Sequence, residues 1–247
     1  MSTKPFKNIK QFENEIDNFL SSYSTKINEH ATKVSDFFEI ACYNYVVKFY
    51  ENQGFEVKVK GLQSGKFRYK VKPTGYPKNF SYIEIKKTTR TRPIIFEIRH
   101  NIPIASYENP SDIYIGADIA VIKPGAIICD YTHKYKLKRY KYYSYIPNVE
   151  LQTFFEVKNF KPSPELIINF TGLVNEIMPQ SMRGENPFKN PKHLAPSLMV
   201  SGSHNLHTER IAEIYSERYN INIIVNLFNI PAKAYLFISE LNRIGSK

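Results

Sequence analysis

The residues of this chain best suited to chemistry are an aspartate, Asp118, and an acid-x-lysine triplet, Glu156-Val157-Lys158. The triplet ends the apolar run Leu151-Gln152-Thr153-Phe154-Phe155-Glu156-Val157-Lys158, and on a strand Glu156 and Lys158 share a face. Upstream, Ile113-Tyr114-Ile115-Gly116-Ala117-Asp118-Ile119-Ala120-Val121-Ile122 reads as a second apolar strand with an aspartate embedded in it. Cutting a phosphodiester needs an activated water, charge neutralisation at phosphorus and help for the departing oxyanion, and Mg²⁺ supplies much of all three. That ion is commonly held by one or two carboxylates, with water and substrate phosphate completing its shell. If the two strands are neighbours, Asp118 and Glu156 suffice as ligands, with Mn²⁺ an acceptable replacement, and Lys158 reaches the attacking water or the phosphate. Its amine either stabilises developing negative charge or, with a lowered pKa, deprotonates water; the residues leave both roles open.

Two further acid-x-lysine triplets, Glu56-Val57-Lys58 and Glu84-Ile85-Lys86, are expected to be solvated strand faces. Neither follows an aspartate-bearing apolar strand or precedes an amphipathic helix, whereas Glu156-Val157-Lys158 does both, the helix being predicted over 164–177. Glu39 borders the apolar stripe of an earlier helix, where a carboxylate is either a boundary residue or a contributor to a site. Asp112 has the same strand parity as Asp118 and is its fallback. His204, His207 and Glu209 read as a strand-to-helix turn capped by Ser203 or Asn205 rather than as a zinc site, since no cysteine or third histidine is near in sequence.

These groups need a scaffold. Ile9, Phe12, Ile16, Phe19, Leu20, Tyr23 and Ile27 form one stripe on a helix over about 8–30, and Val34, Phe38, Ala41, Cys42, Tyr45 and Phe49 form the stripe of a second, with Gly54 as its stop. The spacing then changes to period two, predicting antiparallel strands at 55–60, 67–71, 80–86 and 94–99, followed by the Asp118 strand, a strand at 126–130 and the Glu156 strand. Helix and strand alternate afterwards, over 164–177, 197–201, 205–219, 221–227 and 232–244, with a long loop at 179–196. The expected architecture is an α/β domain over 34–247, with a mixed central sheet flanked by helices, behind an N-terminal helical extension at 1–33.

The net charge of +11, from 34 Lys+Arg against 23 Asp+Glu, favours a polyanionic partner. A basic insertion over about 132–148 interleaves cations with tyrosines. On a hairpin Lys134, Lys136 and Lys138 share a face with Tyr140, and Arg139 and Lys141 add to a row of phosphate contacts that would weaken with salt. Basic edge strands also serve simply to block aggregation. No run of about 18 apolar residues occurs and the first residues lack a secretion signal, so a cytoplasmic protein without membrane association is expected. Cys42 and Cys129 are expected to be buried thiols.

In this order of elements the chain resembles the PD-(D/E)xK nuclease superfamily, the restriction-endonuclease-like fold. That core is a helix, a three-stranded meander bearing an aspartate and then the acid-x-lysine motif, a second helix and a fourth strand. The resemblance implies that Asp118 is the motif aspartate, Glu156 the motif acid, Lys158 the motif lysine, and Glu39 the accessory acid of the first helix. Ala117 stands where the family has proline, and the basic insertion accounts for the long separation of Asp118 from Glu156. The implied activity is Mg²⁺-dependent endonucleolytic cleavage, of DNA ahead of RNA, in a restriction or antiviral setting. A homodimer docked through the N-terminal helices would suit two-strand cutting. The rival expectation is a non-catalytic nucleic-acid-binding or assembly subunit that keeps the fold.

Overall fold

The computed structural model describes residues 34–130, 143–182, 193–227 and 243–244, together with Lys10, Asn14, Asp17, Asn18 and Ser21. Most of the predicted helix at 8–30, residues 131–142 of the basic insertion, residues 183–192 of the long loop and most of the predicted helix at 232–244 lie outside the described residues.

Helix α1 (Val34–Asn52) ends just before Gly54, whose φ of +81° is open to glycine at little cost. The single stripe expected for this helix is an understatement. Cys42, Tyr43, Tyr45, Val46, Phe49 and Tyr50 are all fully buried, which makes α1 an interior helix covered on more than one side.

In chain order the strands are β1 (Glu56–Lys60), β2 (Tyr82–Thr88), β3 (Pro93–Ala105), β4 (Tyr114–Ile122), β5 (Ile128–Asp130), β6 (Tyr143–Tyr145), β7 (Leu151–Lys158), β8 (His193–Leu194), β9 (Ser197–Val200), β10 (Asn222–Ile224) and β11 (Arg243–Ile244). The helices after α1 are α2 (Pro164–Ile177), the single turn α3 (Pro179–Met182) and α4 (Leu206–Arg218). A seven-stranded mixed sheet runs β1-β2-β3-β4-β7-β9-β10. It is antiparallel from β1 to β7, and β9 and β10 join in parallel. β5 pairs with β6 at the base of the basic insertion, and β8 pairs with β11. The protein is therefore α/β with a mixed central sheet.

Both faces of the sheet are covered. Ile83, Ile98, Val121, Phe155 and Met199 pack with α1 in one layer, and Ile122, Phe154, Leu198 and Ile223 pack with α2 and α4 in the other. Strand β7 reads as a continuous apolar run because it is buried on both sides. Ser163 caps α2 by accepting the Leu166 N–H, and Asn205 caps α4 by accepting the Thr208 N–H at 2.8 Å.

Several expectations need correction, among them the long loop at 179–196, which contains α3 and β8. The predicted strand at 67–71 is irregular, although Phe67 and Tyr69 are buried. The strand expected to stop at residue 99 continues to Ala105. The predicted helix at 232–244 cannot include its last two residues, because Arg243 and Ile244 are strand partners of β8. Cys42 is buried as expected, but Cys129 is only half-buried, its Sγ 3.4 Å from Ser144 Oγ. Among the described residues no helix is long and apolar enough to cross a membrane.

One irregularity sets the geometry of the centre of the sheet. Phe96 and Ile98 belong to the α1 layer, whereas Ile102 and Ile104, of the same parity, belong to the α2 layer. The change falls at Asn101, a non-glycine residue with φ of +47°. In β4 the same exchange occurs between Ala117 and Ile119, that is, at Asp118. Register pairs His100 with Ile119 and Ile102 with Ala117, so the two exchange points face each other across the ladder.

Candidate active site

Strands β4 and β7 are neighbours. Ile119 pairs with Phe155 and Ala120 with Phe154, and the same register continued by one residue sets Asp118 opposite Glu156. Two stretches far apart in sequence thereby meet. Lys158 Nζ lies 2.5 Å from Glu156 Oε1 and 3.4 Å from Asp118 Oδ2. Asp118 Oδ2 also accepts the backbone N–H of Val157 at 2.7 Å, so its carboxylate replaces a ladder carbonyl and is held in place by the strand it faces. The three side chains are partly accessible, 17–30% exposed, so the cluster is reachable from solvent.

Glu39 joins them from α1. Its Oε1 accepts from Tyr69 Oη at 2.8 Å and from Asn101 Nδ2. Burial, then the negative charge of Asp118, push the Glu39 carboxyl up to about 8. Glu156 is pushed up to about 7, first by burial and then by Asp118, with Lys158 pulling the other way. For Lys158 burial opposes the charge, but Asp118 and Glu156 outweigh it and raise the amine. Lys158 is thus an ammonium here, which favours charge stabilisation over proton abstraction.

The donor set suits a hard cation in one specific way. Glu156 Oε2 is buried and has no hydrogen-bond partner, although its twin oxygen is engaged by Lys158. A buried carboxylate oxygen left without a donor is costly, and a cation beside it removes that cost. Among the described residues no group of three or more His, Cys, Asp or Glu side chains forms a metal cage. The fit is therefore to an ion held by the Asp118 and Glu156 pair, with water or substrate oxygens completing the shell, as is usual for Mg²⁺.

The other candidates separate cleanly. Glu56 and Lys58 form a 3.0 Å surface ion pair on edge strand β1, both more than half exposed, whereas Glu84 is half-buried and pairs across the strands with Lys60 at 3.2 Å. Asp112 is exposed in the turn before β4, outside the strand that carries Asp118. His204 Nδ1 stands 3.8 Å from Glu209 Oε2, and the turn between them is occupied by the Asn205 cap. Lys134, Lys136, Lys138, Arg139 and Lys141 lie outside the described residues. At the base of their insertion Tyr114, Tyr143 and Tyr145 form an aromatic cluster, with ring centroids 4.7–6.3 Å apart.

Sequence reasoning missed three contributors. Tyr69 and Asn101 fix the Glu39 carboxyl, and the signal for Asn101 was a polar residue beside the otherwise apolar run Ile102-Pro103-Ile104. Gly202 is the third. A Cβ there would stand 2.6 Å from Lys161 Cα and 2.7 Å from the Phe160 carbonyl oxygen, so only glycine lets this loop close on the segment that leaves β7. Ser201 N–H donates to the Lys158 carbonyl at 3.1 Å, which extends the same clamp to the lysine itself. The chain matches no protein-family model, and no curated protein or solved structure matches it either.

Proposed function

We propose that this protein is a Mg²⁺-dependent nuclease of restriction-endonuclease-like architecture that hydrolyses phosphodiester bonds, with DNA preferred to RNA. The observation that carries this reading is the convergence of Asp118, Glu156 and Lys158 from two strands distant in sequence, with Glu39 of the first helix coupled electrostatically to Asp118. The bound ion would supply Lewis-acid neutralisation and an activated water. Asp118 and Glu156 would hold it, with the unengaged Oε2 of Glu156 as the oxygen available for that purpose. Lys158, an ammonium beside both carboxylates, would present its charge to the phosphate oxygens, where negative charge grows. Glu39, its carboxyl raised chiefly by burial, would be the accessory acid that contacts water beside the ion. The surplus of positive charge favours a polyanionic substrate, with Lys134, Lys136, Lys138, Arg139 and Lys141 as proposed phosphate contacts. A cytoplasmic restriction or antiviral setting and a homodimer that cuts both strands complete the proposal.

The test is cleavage of plasmid, single-stranded DNA and RNA with Mg²⁺ by wild type, Asp118→Ala and Lys158→Ala. Each variant is expected to lose about a hundredfold or more in rate. Activity that survives both substitutions removes the assignment. The rival reading is a nucleic-acid-binding or assembly subunit without chemistry, which the net charge of +11 supports equally. Salt-sensitive binding with no Mg²⁺-dependent cleavage would identify it.

A further inference from the structure

Strand β4 runs from the base of the basic insertion to the candidate site. Ile115 and Ala117 face the α2 layer, so Tyr114 and Gly116 stand on the other side of the sheet, the side that α1 covers and from which Glu39 reaches the cluster. Gly116 is exposed and presents only backbone, with Pro73 alongside. Tyr114 lies beyond it, four residues of strand or about 13 Å from Asp118. There it meets Tyr143 and Tyr145 of β6, with ring centroids 5.3 and 4.7 Å from its own and ring planes inclined 71° and 61° to it, while those two rings are within 28° of parallel. All three tyrosines are half-buried, which leaves part of each ring open to solvent.

The surface around them is apolar and fixed. Tyr143 and Tyr145 share one face of the β5–β6 ribbon, since Ser144 between them is buried on the other; Ile128, the cross-strand partner of Tyr145, is exposed, as is Ile113 next to Tyr114. The Ile146 N–H donates to the Pro103 carbonyl and the Ile146 carbonyl accepts the Ala105 N–H, both at 2.9 Å, which ties the end of the ribbon to β3. Between Asp130 and Tyr143 the chain carries Lys134, Lys136, Lys138, Arg139 and Lys141 and no acid. Rings held at the root of so basic a segment have the chemistry of a stacking platform, with cations for the backbone of a nucleic acid and aromatic surface for its bases. In a duplex the faces of the bases are covered by their neighbours, so the bases that such rings accept are unpaired ones.

We propose that Tyr114, Tyr143 and Tyr145 form a shelf on which unpaired bases of the substrate strand stack, about four nucleotides from the Asp118 cluster at about 3.4 Å per stacked nucleotide, with the bare backbone of Gly116 as the floor between. The substrate is then a strand left single on one side of the cut. This rests on the nuclease reading only for what happens at the Asp118 end. The probes are a fluorescently labelled single strand and the duplex of the same sequence, bound to the full chain without Mg²⁺ at low and high salt and then incubated with Mg²⁺ to read cleavage. Wild type should prefer the single strand. Tyr143→Leu combined with Tyr145→Leu keeps apolar bulk and should bind that strand about tenfold more weakly with unchanged salt dependence, because the phosphate contacts remain; Tyr143→Phe combined with Tyr145→Phe keeps the rings and should bind as wild type does. No preference for the single strand, no binding at all, undiminished binding by the leucine pair, or an equal loss in both pairs would overturn the shelf. Should the leucine pair fail to fold, photocrosslinking of wild type to an iodouracil-substituted single strand decides the matter: adducts on Tyr114, Tyr143 or Tyr145 support the shelf, and adducts elsewhere only refute it. The two readings fail separately. Ring-dependent binding without cleavage keeps the shelf and removes the nuclease, whereas cleavage that the leucine pair leaves unchanged in rate and strand preference keeps the nuclease and removes the shelf.

Discussion

Replacing Glu39 by glutamine isolates the charge of that side chain from its contacts. Both hydrogen bonds to Glu39, from Tyr69 Oη and Asn101 Nδ2, end on the same oxygen, so an amide oxygen placed there accepts both. What the change removes is a carboxyl pushed from 4.5 up to about 8 by burial and by Asp118. The sign follows from proton counting. Below pH 4.5 both folded and unfolded chains hold the proton and Glu39 contributes no pH dependence. Between 4.5 and about 8 the unfolded chain has released it while the folded chain keeps it, so wild-type stability falls as pH rises, and above about 8 the loss is complete. At about 1.4 kcal/mol per unit the loss is capped near ~5 kcal/mol. The carboxyl is partly accessible, and solvent screening reduces the expected difference to about 2–3 kcal/mol. Glu39→Gln should therefore match wild type near pH 4.5 and melt about 5–10 °C higher near pH 8. Thermal melts across that range, with and without Mg²⁺, give the comparison, and Asp118→Asn in wild type should remove part of the same slope. A stability difference that does not change with pH, or one that favours wild type at pH 8, would refute the placement of Glu39 beside Asp118.

The exposed pair Glu56 and Lys58 is the control for the lysine of the site: Lys58→Ala should change stability by less than about 0.5 kcal/mol and leave any Mg²⁺-dependent cleavage unaltered. Gly202→Ala should cost about 1–3 kcal/mol in a urea titration, because its Cβ meets backbone atoms of Phe160 and Lys161 that cannot step aside; a neutral result would mean that the clamp on the exit of β7 is loose. Tyr50→Phe removes the 2.6 Å hydrogen bond to His193 Nδ1 that ties α1 to β8, and should cost about 1–3 kcal/mol by the same titration.

Much of the site is legible in the sequence because its strands are unusual in composition. The predicted bounds of strand β7 match the observed ones, since an apolar run buried on both faces and ended by Glu156-Val157-Lys158 admits few other readings. Asp118 stands out for the same reason. The failures have a common cause, namely side chains doing the work of backbone. The alternation of Phe67, Tyr69 and Val71 imitates a strand, but the Arg68 N–H goes to Ser81 Oγ and the Lys70 N–H to His100 Nδ1, so no ladder forms there. His100 and Asn101 look like the end of β3 because polar residues interrupt the run, when they are the point at which the strand changes layers. Helical spacing places Glu39 at the margin of its helix, but nothing in that spacing announces that Tyr69 and Asn101 will meet it. The two-residue strand β11 is too short to leave any periodicity at all.

The left-handed residue in the middle of β3 makes a single stretch of backbone the shared spine of two apolar layers. One half of that spine is anchored beside α1 and the other beside α2, so a rearrangement of either helix is carried through the same peptide units to the other. Asn101 stands at the joint and grips the carboxylate of α1, and Asp118 stands opposite it. The spacing between those two acids is therefore governed by how the layers are seated on one another, and repacking either core at a distance would retune the electrostatics of the cluster without touching any of its residues.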